Sequence, residues 1–316
     1  MSLELFGLSL LNGLSYGLLL FMLSAGLTLI FGIMRVLNLA HGSFYMLGAY
    51  LGYTATCIVG MNFWLTLILV PCAVGMVGVL SEKYLLRRVH ARGHLAELLL
   101  TYGLALLVLA VVQWIWGKAP VEYRIPAFLQ GHLFELWGMS FPRYRALIMG
   151  IALFMLLFLI VLLRGTSTGL LLQAATQNPR MLESLGYNVP ALWAWVFGAG
   201  CALAALAGVL GGFAYVTEPA MAQSMGMLLF VVIVIGGMGS LAGALLASVL
   251  LGVFQTLAVG VNIRLADLLH MDVVATGSLW NVTLSQCAPL LPFILMVLVL
   301  LLRPQGLLGA RQERRV

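Results

Sequence analysis

Residues 11–50 read LNGLSYGLLLFMLSAGLTLIFGIMRVLNLAHGSFYMLGAY. No charged residue interrupts the run from Leu14 to Met34, and the apolar pattern resumes after Ser43. A helix rises about 1.5 Å per residue, so a run of this length matches the roughly 30 Å hydrocarbon core of a bilayer. Between the two apolar blocks stand Arg35, Asn38 and His41, followed by the small Gly42 and Ser43. Polar groups are costly in lipid unless they find partners or border water, so the segment reads as the start of a broken or half-inserted helix.

The rest of the chain carries the same signature. Of its 316 residues 63% are hydrophobic and 8% charged, and the mean hydropathy is +1.09, far too apolar for a domain that must wet its surface. Apolar runs extend from Leu5 to Leu302, which leaves no stretch for a separate soluble catalytic or nucleotide-binding domain, and residues 1–316 read as one transmembrane domain. The opening MSLELFGLSLLNGLSYGLLLFML contains Glu4 and no basic segment, and its apolar block exceeds a signal-peptide core, so it is expected to remain as the first span. Cys57, Cys72, Cys201 and Cys287 lie in apolar surroundings with no CxxC spacing and no clustered histidines. They read as small buried hydrophobes, with no metal site expected.

Windows of about 20 mostly apolar residues select spans near 5–33, 37–59, 62–80, 95–116, 144–163, 191–214, 224–238, 241–260 and 287–302. That is an all-helical polytopic bundle of about nine spans, within a range of about eight to ten. The runs at 224–238 and 241–260 are separated only by GGMGS, as a tight helical hairpin or as a re-entrant element and a span. The net charge of +6 collects in short loops beside apolar runs, where topology accounts for it and nucleic acid is not needed. SEKYLLRRVHARGH, with Lys83, Arg87, Arg88 and Arg92, and the tail, with Arg303, Arg311, Arg314 and Arg315, are placed in the cytoplasm. The N-terminus and residues 117–143 then lie outside. Prolines 120, 126 and 142 bracket FLQGHLFELWG, which reads as a short amphipathic piece at the membrane surface.

Two small-residue ladders stand at i+4 spacing: Gly200, Ala204, Gly208 and Gly212, and Ser240, Ala244, Ser248 and Gly252. Such faces let helix backbones approach closely, and ordinary bundle packing nearly suffices to explain them. NLAHGSFYMLGAYLG and GGMGSLAGALLASVLLG share a break followed by a small-residue helix, a faint internal repeat of the kind transporters use.

Two readings of Asn38 and His41 stand side by side. In one they stabilise a helix entry, Asn38 accepting from the following backbone N–H groups. In the other Asn38, His41, Gly42 and Ser43 border the path of a solute. The segment RGTSTGLLLQAATQNPRMLESLGYNVPALWAW, Arg164–Trp195, differs in kind: two short helices broken at Asn178-Pro179, the second ending at Gly186. A solvated connector does not explain Leu170, Leu171, Leu172, Met181, Leu182 and Leu185, whereas an amphipathic hairpin docking in a partner's groove does. Glu218, with Gln223, reads as a loop carboxylate at the outer side, and Asn281-Val282-Thr283 matches a glycosylation acceptor by pattern. No GxxxxGK[ST] or HExxH occurs, so no route to ATP hydrolysis is visible in the chain itself.

These residues resemble a known family, the permease subunits of bacterial branched-chain amino-acid ABC transporters, and among them the first of the two permeases. The stretches that carry the resemblance are the opening quotation, AATQNPRMLESLGYNV, IGGMGSLAGALLASVLLG and LLRPQGLLG. The resemblance implies a multi-pass protein of the bacterial inner membrane that pairs with a second, similar permease, two cytoplasmic ATPases and a periplasmic binding protein. It implies no cofactor bound by this chain, ATP and Mg being used by the partners. It makes 164–190 the coupling loop, with Ala174, Ala175, Asn178, Pro179, Met181, Leu182, Leu185 and Gly186 as its contact elements, and sets NLAHG near the pathway. AATQNPRMLESLG is less charged than the loop usual in that family. Residues 261–286 are longer and more polar than the resemblance leads one to expect, and are read as an outer loop meeting the binding protein.

The function expected is passage of a hydrophobic, branched-chain amino acid by alternating access, the chain being a transport subunit and no enzyme. Urea, short amides or aromatic acids are alternative cargoes. A self-sufficient secondary carrier or channel is the rival of another class; it usually shows an intramembrane acid or base, which this chain lacks in a recurring pattern.

Overall fold

The first helix, α1 (Leu3–Met34), is 32 residues long, because nothing between Leu14 and Met34 offers it a stop. It ends at Arg35, which takes a left-handed backbone with φ 57°. The computed structural model describes residues 3–90, 92–136, 139–260 and 283–309. The expectations for Asn281, Val282, Arg311, Arg314, Arg315 and nearly all of 261–286 lie outside these.

Among the described residues seven helices are long and apolar enough to cross a membrane. They include α1, α3 (Phe63–Ser81, running on through Glu82–Leu86 and Arg87–His90), α4 (His94–Trp116) and α5 (Arg143–Gly165). After two short helices, α6 (Ser167–Gln177) and α7 (Pro179–Ser184), come α8 (Val189–Ala214), α10 (Leu241–Gly260) and the last, Ser285–Leu302, whose regular part α11 is Leu291–Leu302. The span expected at 37–59 is corrected to a shorter helix, α2 (His41–Tyr53, continued by a π-helical turn Thr54–Ile58), while the run expected at 224–238 is α9 (Met221–Gly236), a 16-residue apolar helix outside the seven of spanning length. The cause is local. The backbone leaves the helix at Arg35 and again at Tyr215, and both breaks last six residues.

The amphipathic surface piece is likewise replaced, by a hairpin of β1 (His132–Leu136) on β2 (Met139–Pro142) after a 3-10 turn at Ala127–Leu129. Phe134 faces Phe141 across the pair with the rings stacked 5.3 Å apart, a period-two pattern that a helix would have scattered. The bundle therefore has a hairpin end and, opposite it, a basic end with Lys83, Arg87, Arg88 and Arg164.

Helix α8 is the axis. Its ladder lies against two neighbours: Gly200 meets Gly26 and Ile30 of α1, and Gly208 and Gly212 meet Tyr45 and Ala49 of α2. The second ladder packs α10 against α1, with a Cβ at Gly13 or Gly17 falling 2.7 Å from the Val253 or Val249 Cα. Small residues here shorten helix separations, as a bundle without a hydrophobic drive between helices requires. Cys201 is buried where α8 meets Gly78 of α3, while Cys57 and Cys72 are exposed, a correction to the expectation that all four are interior.

The internal symmetry is also not the one suggested by glycine content. The counterpart of α1–break–α2 is α8–break–α9: a long helix, six residues of irregular chain, then a short helix that turns back. Because α1 and α8 run antiparallel, the two units have opposite directions, the arrangement of inverted-topology repeats. The segment after GGMGS is the second arm of a hairpin, α9 to α10, whose turn needs Gly237 and Gly239 at φ 97° and 84°.

Candidate functional site

The return of the chain after Met34 carries α2 back along α1. His41 Nε2 lies 3.1 Å from the Leu23 carbonyl, and Leu23 precedes the end of α1 by about 16 Å of helix rise. A carbonyl only accepts, so Nε2 donates, and Nδ1 is left without a partner. The ring also fills the Gly26–Gly200 crossing. Asn38 is 2% exposed; its Oδ1 accepts from the Ala40 N–H at 3.1 Å, and its carbonyl accepts from the His41 N–H at 3.2 Å. Helix α4 braces the same break, Ser43 Oγ donating to the Ala105 carbonyl and Thr101 Oγ1 to that of Leu37. Gly42 packs on Ala222 and Gly226 of α9, so the starts of the two short helices touch.

Asn38, His41, Gly42 and Ser43 are all buried inside the protein. Their geometry is that of a pin holding a broken helix. His41→Ala removes the bond and leaves a void, with an expected loss of about 2–3 kcal/mol. His41→Gln keeps an N–H for Leu23 and should leave the KM for uptake unchanged; a KM shift beyond severalfold, with normal thermal unfolding, contradicts the pin.

Exposed polar groups lie beside them. On α9, Gln223 and Ser224 are exposed in line with Met227 and Phe230, while Ala222, Leu229 and Ile233 of the same helix are buried. Glu218 sits in the break just before, at the hairpin end.

At the basic end, α6 and α7 form the expected helical hairpin. Thr166 caps α6 by accepting from the Gly169 N–H, and Asn178 caps α7 by accepting from the Met181 N–H, with Pro179 at the first position. Gly186 ends it at φ 88°. Leu172, Ala175 and Leu182 turn inward, whereas Leu170, Met181, Leu185 and Tyr187 are each at least half exposed. Ala174 and Leu171 lie between these faces. The exposed set comes from side chains that a water-facing loop has no reason to carry.

A tie missed by sequence reasoning fastens the start of α8, just after this hairpin, to the neighbouring elbow. Arg87 Nη2 donates to the Pro190 carbonyl at 2.6 Å and to the buried Glu82 carboxylate at 3.2 Å. Glu97, also buried, holds His90 Nδ1 at 2.6 Å and His94 Nδ1 at 3.2 Å, and the His90 ring lies 5.1 Å from that of Trp193. The root of α8 is therefore bound to α3 and α4. Arg87 reads in sequence as one more topological charge, and nothing local marks its partners. Arg87→Ala strands Glu82; since Arg87 is itself 38% exposed, about 2 kcal/mol is expected. Thermal unfolding together with the yield of uptake per ATP checks this, and Arg87→Lys should restore stability only in part.

The terminal LLRPQGLLG has a structural role as well. The Leu307 and Leu308 N–H groups donate to the carbonyls of Ile235 and Gly236, capping the end of α9 at 2.7 and 3.1 Å.

A family model described as branched-chain amino acid transport system / permease component matches residues 9–300. The chain belongs to this family. The match takes in both broken helices, the α6–α7 hairpin and most of the last span. The permease is 29% identical to the high-affinity branched-chain amino acid transport system permease protein BraD of Pseudomonas aeruginosa, over 97% of each chain. It is 27% identical to the corresponding LivH protein of Escherichia coli K12, over 96% of each. A probable LivH of Methanocaldococcus jannaschii is 27% identical over 93% of the permease and 90% of the relative. With seven helices of spanning length, the permease is a multi-pass membrane protein.

Proposed function

We propose that the permease is the membrane-spanning subunit of an ATP-driven importer of branched-chain, hydrophobic amino acids. The observation that carries this reading is the family match over residues 9–300, together with relatives named as branched-chain amino acid transport system permease proteins. The pair of inverted broken helices supports it, since discontinuous helices meeting inside a bundle are where transporters place their moving parts. The basic end faces the cytoplasm of a bacterial inner membrane and the hairpin end the periplasm, by the distribution of Arg and Lys.

In this reading residues 1–316 work as one transmembrane domain and the chain carries out no chemistry. Two cytoplasmic ATPases bind ATP and Mg, and their closure reaches the bundle through the exposed face of 164–190. A second, similar permease completes the pathway and a periplasmic binding protein delivers solute. Asn38, His41, Gly42 and Ser43 serve the pathway by fixing where α2 starts. Gln223 and Ser224 face the pathway or the second permease, because polar groups on a short helix are poorly placed against lipid.

The test is affinity purification from native membranes in mild detergent, with mass spectrometry of everything retained. Recovery of a second permease and ATPases establishes the importer, and competition by urea, amides and aromatic acids against leucine then ranks the cargo. A lone chain that carries solute in ATP-free vesicles establishes a carrier instead and removes the coupling role of 164–190.

A further inference from the structure

A cleft of about 720 Å³ opens at the hairpin end, where Tyr53, the start of α3 and the segment 122–128 meet. Its volume lies within the range of small-molecule sites. One wall is aromatic and comes from two elements: Trp64 and Phe128 stack at 5.9 Å, and Phe63 stands edge-on to both at 5.7 Å. The Asn62 side chain accepts from the Trp64 N–H and so fixes the turn that presents the ring.

The same cleft carries an acid and a base. Val121 pairs with Thr217 in an isolated bridge, and the chain turns at Glu122, the Tyr123 N–H donating to the Val121 carbonyl at 3.1 Å. Tyr123 points inward, 7% exposed, with its ring against Tyr53 and Phe213; burial pushes its phenol above the ordinary range. Glu122 and Arg124 both line the cleft, 3.1 Å apart, and are 79% and 75% exposed. An exposed pair of this kind is worth little by itself, so opening it to admit a ligand costs little. Interfacial anchoring alone explains a Trp at a helix start. It does not explain a second stacked ring from another element with a carboxylate and a guanidinium on the same hollow.

We propose that this cleft is a binding site for an amphipathic zwitterion: Glu122 takes the ammonium, Arg124 the anionic oxygens, and the Phe63–Trp64–Phe128 wall the apolar body. Resting on the importer reading, the occupant is the hydrophobic amino acid, held at low affinity on its way into the bundle. The same chemistry is offered by an ethanolamine phospholipid headgroup, so the test has an arm for each source.

The full chain is placed in nanodiscs of phosphatidylglycerol, with Trp64 fluorescence as the reporter and Trp64→Phe as the blank. L-leucine is titrated against leucine amide, which lacks the carboxylate, and 4-methylpentanoate, which lacks the ammonium. Leucine should bind roughly tenfold or more tightly than either, and Glu122→Gln or Arg124→Gln should each weaken it by a similar factor while leaving thermal unfolding unmoved. In nanodiscs that include phosphatidylethanolamine, retention of that lipid by the parent and its loss from both variants assigns the site to the headgroup and still supports a zwitterion site. Equal titration by all three probes with no selective lipid, or binding that ignores both substitutions, overturns the proposal. ATP-driven uptake by the intact complex is measured in parallel. Uptake present with no binding in the cleft defeats this site and leaves the importer standing, whereas binding present with no uptake defeats the importer alone.

Discussion

Gly208→Val is expected to abolish the folded permease. A side chain at Gly208 overlaps the Tyr45 carbonyl of α2 and comes within 3.0 Å of the Ala49 nitrogen. Both obstacles are backbone, so no rotamer change relieves them and the α2–α8 seam must open. That seam also includes Gly48, where a Cβ would sit 2.5 Å from Ala205. Overpacking of this kind costs about 3 kcal/mol or more, a large part of the roughly 5–15 kcal/mol that holds a typical fold. The measurement is thermal unfolding and monodispersity in detergent, with Gly103→Val as control, since a side chain at Gly103 meets nothing within 4 Å. A Tm for Gly208→Val equal to that of the control would show that the seam is not tightly closed.

The second large effect is on coupling. Met181→Glu with Leu185→Glu places two charges on the exposed face of the α6–α7 hairpin and disturbs no buried contact, since the two side chains are 61% and 66% exposed. The doubly substituted chain should fold normally. Apolar anchors at an interface are worth about 2 kcal/mol each, so capture of the ATPases and uptake per ATP hydrolysed should fall by roughly a hundredfold or more. Ala175→Glu and Leu182→Glu, which on the sequence alone look equivalent, should behave differently. Ala175 is 2% and Leu182 6% exposed, so a carboxylate there is buried without a partner and the hairpin itself is lost. Undiminished coupled uptake in the Met181/Leu185 variant removes the docking role of this face.

That contrast shows where sequence reading stops. The two helices of the hairpin, their break at Asn178-Pro179 and the stop at Gly186 are visible in the chain because capping residues act on their immediate neighbours. Which leucines face inward is not visible, because it depends on where α1 and α5 lie behind α6. The same holds for Asn38 and His41. Their oddity beside lipid is plain from the apolar blocks on either side, but the carbonyl that His41 meets is Leu23, eighteen positions earlier.

By itself the sequence determined the membrane class, the break before α2 and the small-residue stripes, because hydropathy, caps and close-packing stripes are properties of short windows. Only the tertiary structure decided that α2 and α9 have touching starts, that 132–136 and 139–142 pair as antiparallel strands, that Arg87 ties the elbow to Pro190 and that Glu122 and Arg124 share one cleft. Each of these depends on a partner supplied by a distant part of the chain, and the energy of a buried polar group is fixed by that partner, which no local pattern encodes.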